Sequence, residues 1–99
     1  MRITPHQKEL IVRTAREVFG DDVEVRLFGS RADDSKKGGD IDLFIDAHGA
    51  ISDKEKKTTA LASKIAIGMG DVIPVDVIVK DDETEIKLIH REGMKGLLL

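Results

Sequence analysis

Between Val23 and Leu27 the chain alternates apolar Val23, Val25 and Leu27 with charged Glu24 and Arg26. A period of two marks a half-buried strand. The same period returns over Asp40 to Asp46, with Ile41, Leu43 and Ile45 on one face. It returns again over Val75 to Val79, introduced by Pro74, with Val75, Val77 and Val79 on one face. Helical spacing precedes, separates and follows these strands. Ile11, Ala15 and Val18 share one face of a first helix. Its start is written in Thr4-Pro5-His6-Gln7: a capping Thr, a Pro at the first helical position and a Gln to complete a capping box. Gly20 stops it. Leu61, Ile65 and Met69 form the stripe of a second helix, capped by Ser52 with Glu55 as its box partner and ended by Gly68 and Gly70. Thr84 is expected to cap a last helix that carries Ile86 and Ile89 and ends at Gly93. Gly29-Ser30 breaks the first strand, and the polar stretch 31–39 reads as a loop with at most one short helical turn.

The order is helix, strand, strand, helix, strand, helix, without repeat or linker. It predicts a single domain over residues 1–99, of α/β (α+β) type, with a small mixed β-sheet and helices packed mainly on one face.

Composition sharpens this reading in a few places. The only aromatics are Phe19, Phe28 and Phe44, so the core is expected to be aliphatic. A net charge of -3 argues against a broad basic face for nucleic acid, although a metal can supply positive charge locally to a nucleotide site. There is no cysteine, hence no disulfide and no thiolate metal site, which fits a reducing cytoplasm. The opening MRITPHQKEL has no apolar signal core, and no run approaches a membrane span. The expectation is a soluble cytoplasmic protein with no membrane partner.

The chemistry concentrates in FGSRADDSKKGGDIDLFID, Phe28 to Asp46. Residues two apart on a strand share a face, so Asp40 and Asp42 project together, opposite Ile41 and Leu43. Asp76 does the same between Val75 and Val77. If those two strands are neighbours, three carboxylates converge on one face of the sheet. Converging like charges are costly unless a cation neutralises them. Mg²⁺ prefers such hard oxygen ligands, and two metals on shared aspartates would clamp both oxygens of a phosphoryl transfer. Gly29 lets the backbone approach a phosphate, Ser30 adds a hydroxyl, and Arg31 could add a charge-assisted bond.

Gly29-Ser30, the loop, Asp40-Ile41-Asp42 and Asp76 within Val75-Asp76-Val77 together resemble the nucleotidyltransferase signature of the DNA polymerase β superfamily. The closest resemblance is to its minimal nucleotidyltransferase group, and it covers the chain from the Val23 strand to the last helix. It implies a polymerase β-like fold and transfer of a nucleoside monophosphate from an NTP, ATP foremost, to an acceptor, with release of pyrophosphate. It further implies that Gly29 and Ser30 hold phosphates and that Asp40, Asp42 and Asp76 hold the metals. Many stand-alone members of the group are antitoxins beside a HEPN-type RNase toxin. Two features depart from the pattern. The spacer 31–39 is short for the family, and Ala32-Asp33-Asp34 follows Arg31 where the family is often arginine-rich. Two carboxylates there oppose a triphosphate unless they point away.

Blander readings compete at each position. An Asp-x-Asp strand is usually a solvated face, and Gly-Ser an ordinary turn. Neither the P-loop pattern nor G-x-S-x-G is present, which disfavours a P-loop NTPase and a serine hydrolase. An Asp-x-Asp phosphatase usually has an apolar run before the pair; here Lys36-Lys37-Gly38-Gly39 precedes it. His6, His48 and His90 form no ligand motif and suit surface or cap roles. Lys54, Lys56, Lys57 and Lys64 suit a solvated helix face. Asp81, Asp82 and Glu83 suit the positive end of a helix dipole. The apolar tail 96–99 either packs on the core or meets a partner or a second copy. A non-enzymatic alternative is a binding protein that neutralises a partner by masking it, its acidic site a relic.

Overall fold

A computed structural model of the chain describes residues 1–36, 38–70 and 73–99. Lys37, inside the expected loop, lies outside the described residues. Helix α1 runs Pro5–Phe19 and ends at Gly20. Its cap is the expected one: the Thr4 hydroxyl accepts from Gln7 N–H at 3.1 Å, and Gln7 Oε1 accepts from Thr4 N–H at 2.9 Å. Strand β1 (Glu24–Phe28) leads into a tight 3-10 turn, Gly29–Ala32. Strand β2 is Ile41–Asp46, helix α2 is Lys54–Met69 and strand β3 is Val75–Lys80. A short helix α3, Leu88–Met94, is followed by a two-residue strand β4, Leu97–Leu98.

The described residues thus form three helices and one four-stranded mixed sheet of order β3-β2-β1-β4. β1 pairs antiparallel with both β2 and β4, while β2 and β3 are parallel. The β2–β3 adjacency, on which convergence of the aspartates depends, is present, with Asp42 opposite Asp76. The alternation is kept across the register. Val25, Leu27, Ile41, Leu43, Ile45 and Val79 bury one face against Ile11, Ala15 and Phe19 of α1 and Leu61 and Ile65 of α2. That core is aliphatic but for Phe19, as the composition demands.

The second face is not left bare. Phe44 alternates onto it with Asp42 and is 1% exposed. Helix α3 lies over it, and Gly93 is why it can come so close. A Cβ at Gly93 would stand 2.5 Å from the Phe44 ring. So Gly93 sits inside α3, where the sequence suggested the helix would stop. Two helices cover one face and the third covers part of the other.

Two further expectations change. Ser52 does not cap α2 and Glu55 forms no box with it; the cap position is Asp53, in a left-handed conformation with φ 51°, and its side chain makes no cap bond. Thr84 does not cap α3 either. The helix begins after Lys87, whose N–H donates to His90 Nδ1 at 2.9 Å, and Ile86 falls outside it. The tail packs back: Leu97 and Leu98 pair with Leu27 and Arg26, and Leu99 N–H donates to the Val25 carbonyl at 2.8 Å. Among the described residues no helix is long and apolar enough to cross a membrane.

Candidate active site

The 3-10 turn and the start of β2 meet through one glycine. Gly29 has φ 73°, the left-handed region that glycine enters without penalty. Its Cα faces the Asp42 carboxylate so closely that a Cβ there would collide with Asp42 Oδ2. Only glycine meets both demands. The turn and the acidic strand are therefore one unit. At the other end of the turn, Gly38 is pressed against the Ser30 side chain, and a Cβ at Gly38 would stand 2.9 Å from Ser30 Cβ.

Asp42 and Asp76 lie side by side across the parallel β2–β3 pair. Asp42 is half-buried and Asp76 exposed. Burial first, then the charges of Asp76 and Asp40, then a hydrogen bond shared with Asp76 push the Asp42 pKa above the ordinary aspartate value. Asp40 was expected inside the strand, but β2 begins at Ile41, leaving Asp40 exposed just before it. It is near enough to act on Asp42 by charge. Among the described residues, no group of three or more His, Asp or Glu side chains is arranged as a ready metal cage. What the structure presents is an adjacent carboxylate pair with a third charge beside it. Hard oxygen donors of this kind suit Mg²⁺, which keeps waters and phosphate oxygens in its remaining positions.

A shallow cavity of about 470 Å³ opens beside the pair, lined by Phe28, Asp42, Asp76, Val77, Ile78 and Ile89. Its polar floor is the two carboxylates, and α3 contributes the Ile89 wall. A larger groove of about 550 Å³ follows the outer side of α1 and Leu99 and contains none of these carboxylates.

Arg31, expected to contact phosphate, bonds backbone carbonyls in this structure. Its Nε and Nη2 donate to the Gly39 carbonyl at 3.1 and 2.9 Å, and its Nη1 to the Arg2 carbonyl at 2.9 Å. The guanidinium is committed to the backbone. Sequence spacing cannot reveal this, because the acceptors are carbonyls that only the folded loop brings near. Asp33, one of the departing carboxylates, accepts from Ser35 N–H at 2.9 Å and from Ser35 Oγ at 2.6 Å. Those two bonds hold its pKa below the ordinary value. Asp46, at the far end of β2, faces Lys80 Nζ at 3.5 Å.

Asp81, 3% exposed, was expected at the positive end of the last helix, but that helix begins only at Leu88 and Asp81 is a structural acceptor instead. It accepts from Ile51 N–H at 3.0 Å, Glu83 N–H at 3.1 Å and Thr84 Oγ1 at 2.9 Å, with Lys54 Nζ at 3.5 Å. Led by the Ile51 and Thr84 bonds, these donors lower its pKa to about 2. It pins the start of α2 to the end of β3. The signal was available in Asp81-Asp82-Glu83-Thr84, a spacing at which an Asp side chain captures backbone N–H two residues on.

Compared with protein-family models, with curated proteins and with solved structures, the chain matches none of them.

Proposed function

We propose that the chain has a polymerase β-like fold and is a Mg²⁺-dependent nucleotidyltransferase. It would transfer a nucleoside monophosphate from an NTP, ATP foremost, to an acceptor, as the antitoxin of a HEPN-type toxin pair. The observation that carries the reading is the Gly29–Asp42 contact, which joins the Gly-Ser turn to the Asp42–Asp76 pair. A merely solvated Asp-x-Asp face gives no reason for a glycine in the left-handed region to press on one of its carboxylates.

In this reading Gly29 and Ser30 receive phosphate oxygens through backbone N–H and hydroxyl. Asp42 and Asp76, with Asp40 beside them, would hold the cation. Mg²⁺, when bound, neutralises these carboxylates and screens the triphosphate. The acceptor's hydroxyl oxygen attacks the α-phosphorus in line, the bond to the β-phosphate oxygen breaks, and pyrophosphate leaves. Asp76, exposed at the rim, takes the hydroxyl proton.

The test uses ATP labelled at the α-phosphate, with Mg²⁺, the purified chain and lysate of its source cells. Asp40→Asn/Asp42→Asn serves as control. Label on a protein or RNA with wild type alone is the expected result. Its absence with all four NTPs, in a folded protein, sinks the proposal.

A second reading, neutralisation by masking, is favoured by a separate feature. Of the eight exposed large hydrophobic residues among those described, six fall between Ile86 and Leu98, with Leu88 74% exposed. Exposed apolar residues concentrated in one segment suit a surface that a partner covers. A masking protein keeps its effect in the Asp40→Asn/Asp42→Asn variant; an enzyme loses it.

A further inference from the structure

The loop that joins Ser30 to Asp40 is held shut by two arginines that bond each other's backbone. Arg2 N–H donates to the Arg31 carbonyl at 2.7 Å. Arg31 Nη1 returns a bond to the Arg2 carbonyl at 2.9 Å. The Arg2 Nη2 then spans the loop, reaching the Ser30 carbonyl at 3.3 Å and the Gly38 carbonyl at 3.0 Å. Arg31 reaches the next residue, Gly39, with Nε and Nη2. Every acceptor is a backbone carbonyl, and all but that of Arg2 lie at one end of the loop or the other. The contact of Gly38 with the Ser30 side chain is the other half of the closure.

We infer that Arg2 is a positioning residue of the candidate site. With Arg31 it forms a reciprocal clamp that fixes Ser30 and Asp40 relative to Asp42. Arg2 touches neither substrate nor metal in this scheme; it acts through the loop. The clamp rests on the nucleotidyltransferase reading only for what the positioned groups do. Its existence is tested independently of that reading. The fork of the guanidinium matters here, because one planar group must serve two carbonyls at once. A lysine has the charge without the fork.

The experiment is amide hydrogen exchange on the full chain, wild type against Arg2→Ala, Arg2→Lys and Gly38→Ala. Arg2→Ala is expected to speed exchange over 29–36 and 38–41 by roughly tenfold or more, as for a locally opened segment, with α2 and β3 unchanged. Gly38→Ala, which opens the closure from the other side, should give the same pattern. Arg2→Lys should stay near Arg2→Ala. Unchanged exchange in Arg2→Ala, an equal rise across every element, or full restoration by Arg2→Lys overturns the clamp. Where wild type transfers labelled nucleotide, Arg2→Ala should raise KM for the NTP by roughly tenfold with a smaller change in kcat, as expected when a positioning contact is lost. An unchanged KM there overturns the positioning role. Absence of transfer in wild type counts against the nucleotidyltransferase reading alone, and the exchange result then decides the clamp.

Discussion

Asp42 and Asp81 stand at opposite ends of the parallel β2–β3 pair, and the chain treats them in opposite ways. Asp81 receives donors from Ile51, Glu83 and Thr84, with Lys54 beside it, and its pKa falls to about 2. Asp42 receives burial and the charges of two more carboxylates, and its pKa rises. One carboxylate is finished by its own protein. The other is left with a deficit that a proton or a cation from outside must fill. A group of the first kind is structural, and its partners say so. A group of the second kind is tolerated only if something else gains from it, which makes perturbed carboxylates informative about function.

The strongest way to break this contrast is Gly29→Ala. The left-handed conformation costs a non-glycine residue roughly 1–2 kcal/mol, and forcing a methyl into a filled space about as much again. A loss of about 3 kcal/mol in denaturant unfolding is expected. Gly70→Ala is the matched control, because Gly70 has φ 72° and, among the described residues, no atom within 4 Å of its missing Cβ. It should cost only the backbone part, about 1 kcal/mol. Equal losses at the two glycines would mean that the Gly29–Asp42 contact carries no energy of its own.

Next in size is Asp81→Asn. The substitution removes the charge and replaces one of the two acceptor oxygens by an NH2 donor, so either Ile51 N–H or Glu83 N–H loses its acceptor, and a fall in Tm on the order of 10 °C is expected. A Tm within a degree or two of wild type would show that Asp81 is not the joint between α2 and β3.

The contrast also explains what was legible in the chain and what was not. The α1 cap was readable because Thr4 and Gln7 need only each other. The three long strands were readable because alternation survives any tertiary context. β4 was not, since Leu97 and Leu98 are a strand only through their bonds to β1. Neither was the start of α2: Ser52 has the right chemistry, but Asp81 takes the Ile51 N–H next door and helix geometry begins after Asp53. The aspartate pair was half readable. Spacing put Asp42 and Asp76 on equivalent strand faces, whereas their shared register is a property of the sheet. The bonds of Arg31 to the Arg2 and Gly39 carbonyls were not readable, because a guanidinium's target is chosen by the folded loop.

A metal sharpens the comparison. If Asp42 and Asp76 bind Mg²⁺, ligation stabilises the native state by mass action. At ten times the dissociation constant the gain is about 1.4 kcal/mol. Wild type should respond in a thermal scan and Asp42→Asn should not. Equal responses would place the binding elsewhere.

The smallest effect is the most telling, because its sign is opposite to intuition about removing a charge. At pH 7 without metal, Asp42→Asn should stabilise the fold by about 0.5 kcal/mol, the scale of a like-charge pair directly opposed across two strands. The pH dependence follows from the same imbalance. The folded pKa of Asp42 lies above its ordinary value of 3.8, so the native state holds the proton over the window between them. Its contribution is favourable at the acid side of that window and is lost as pH rises through the folded pKa. Asp81 runs the other way. Its contribution is present above 3.8 and is lost as pH falls toward about 2. Urea midpoints measured from pH 7 downward should therefore rise first in wild type, as Asp42 takes its proton, and then fall as Asp81 takes its own. In Asp42→Asn the early rise should vanish and the late fall remain. If the early rise persists in that variant, the repulsion at the head of β2 and β3 does not belong to Asp42, and the case for a cation site there loses its electrostatic support.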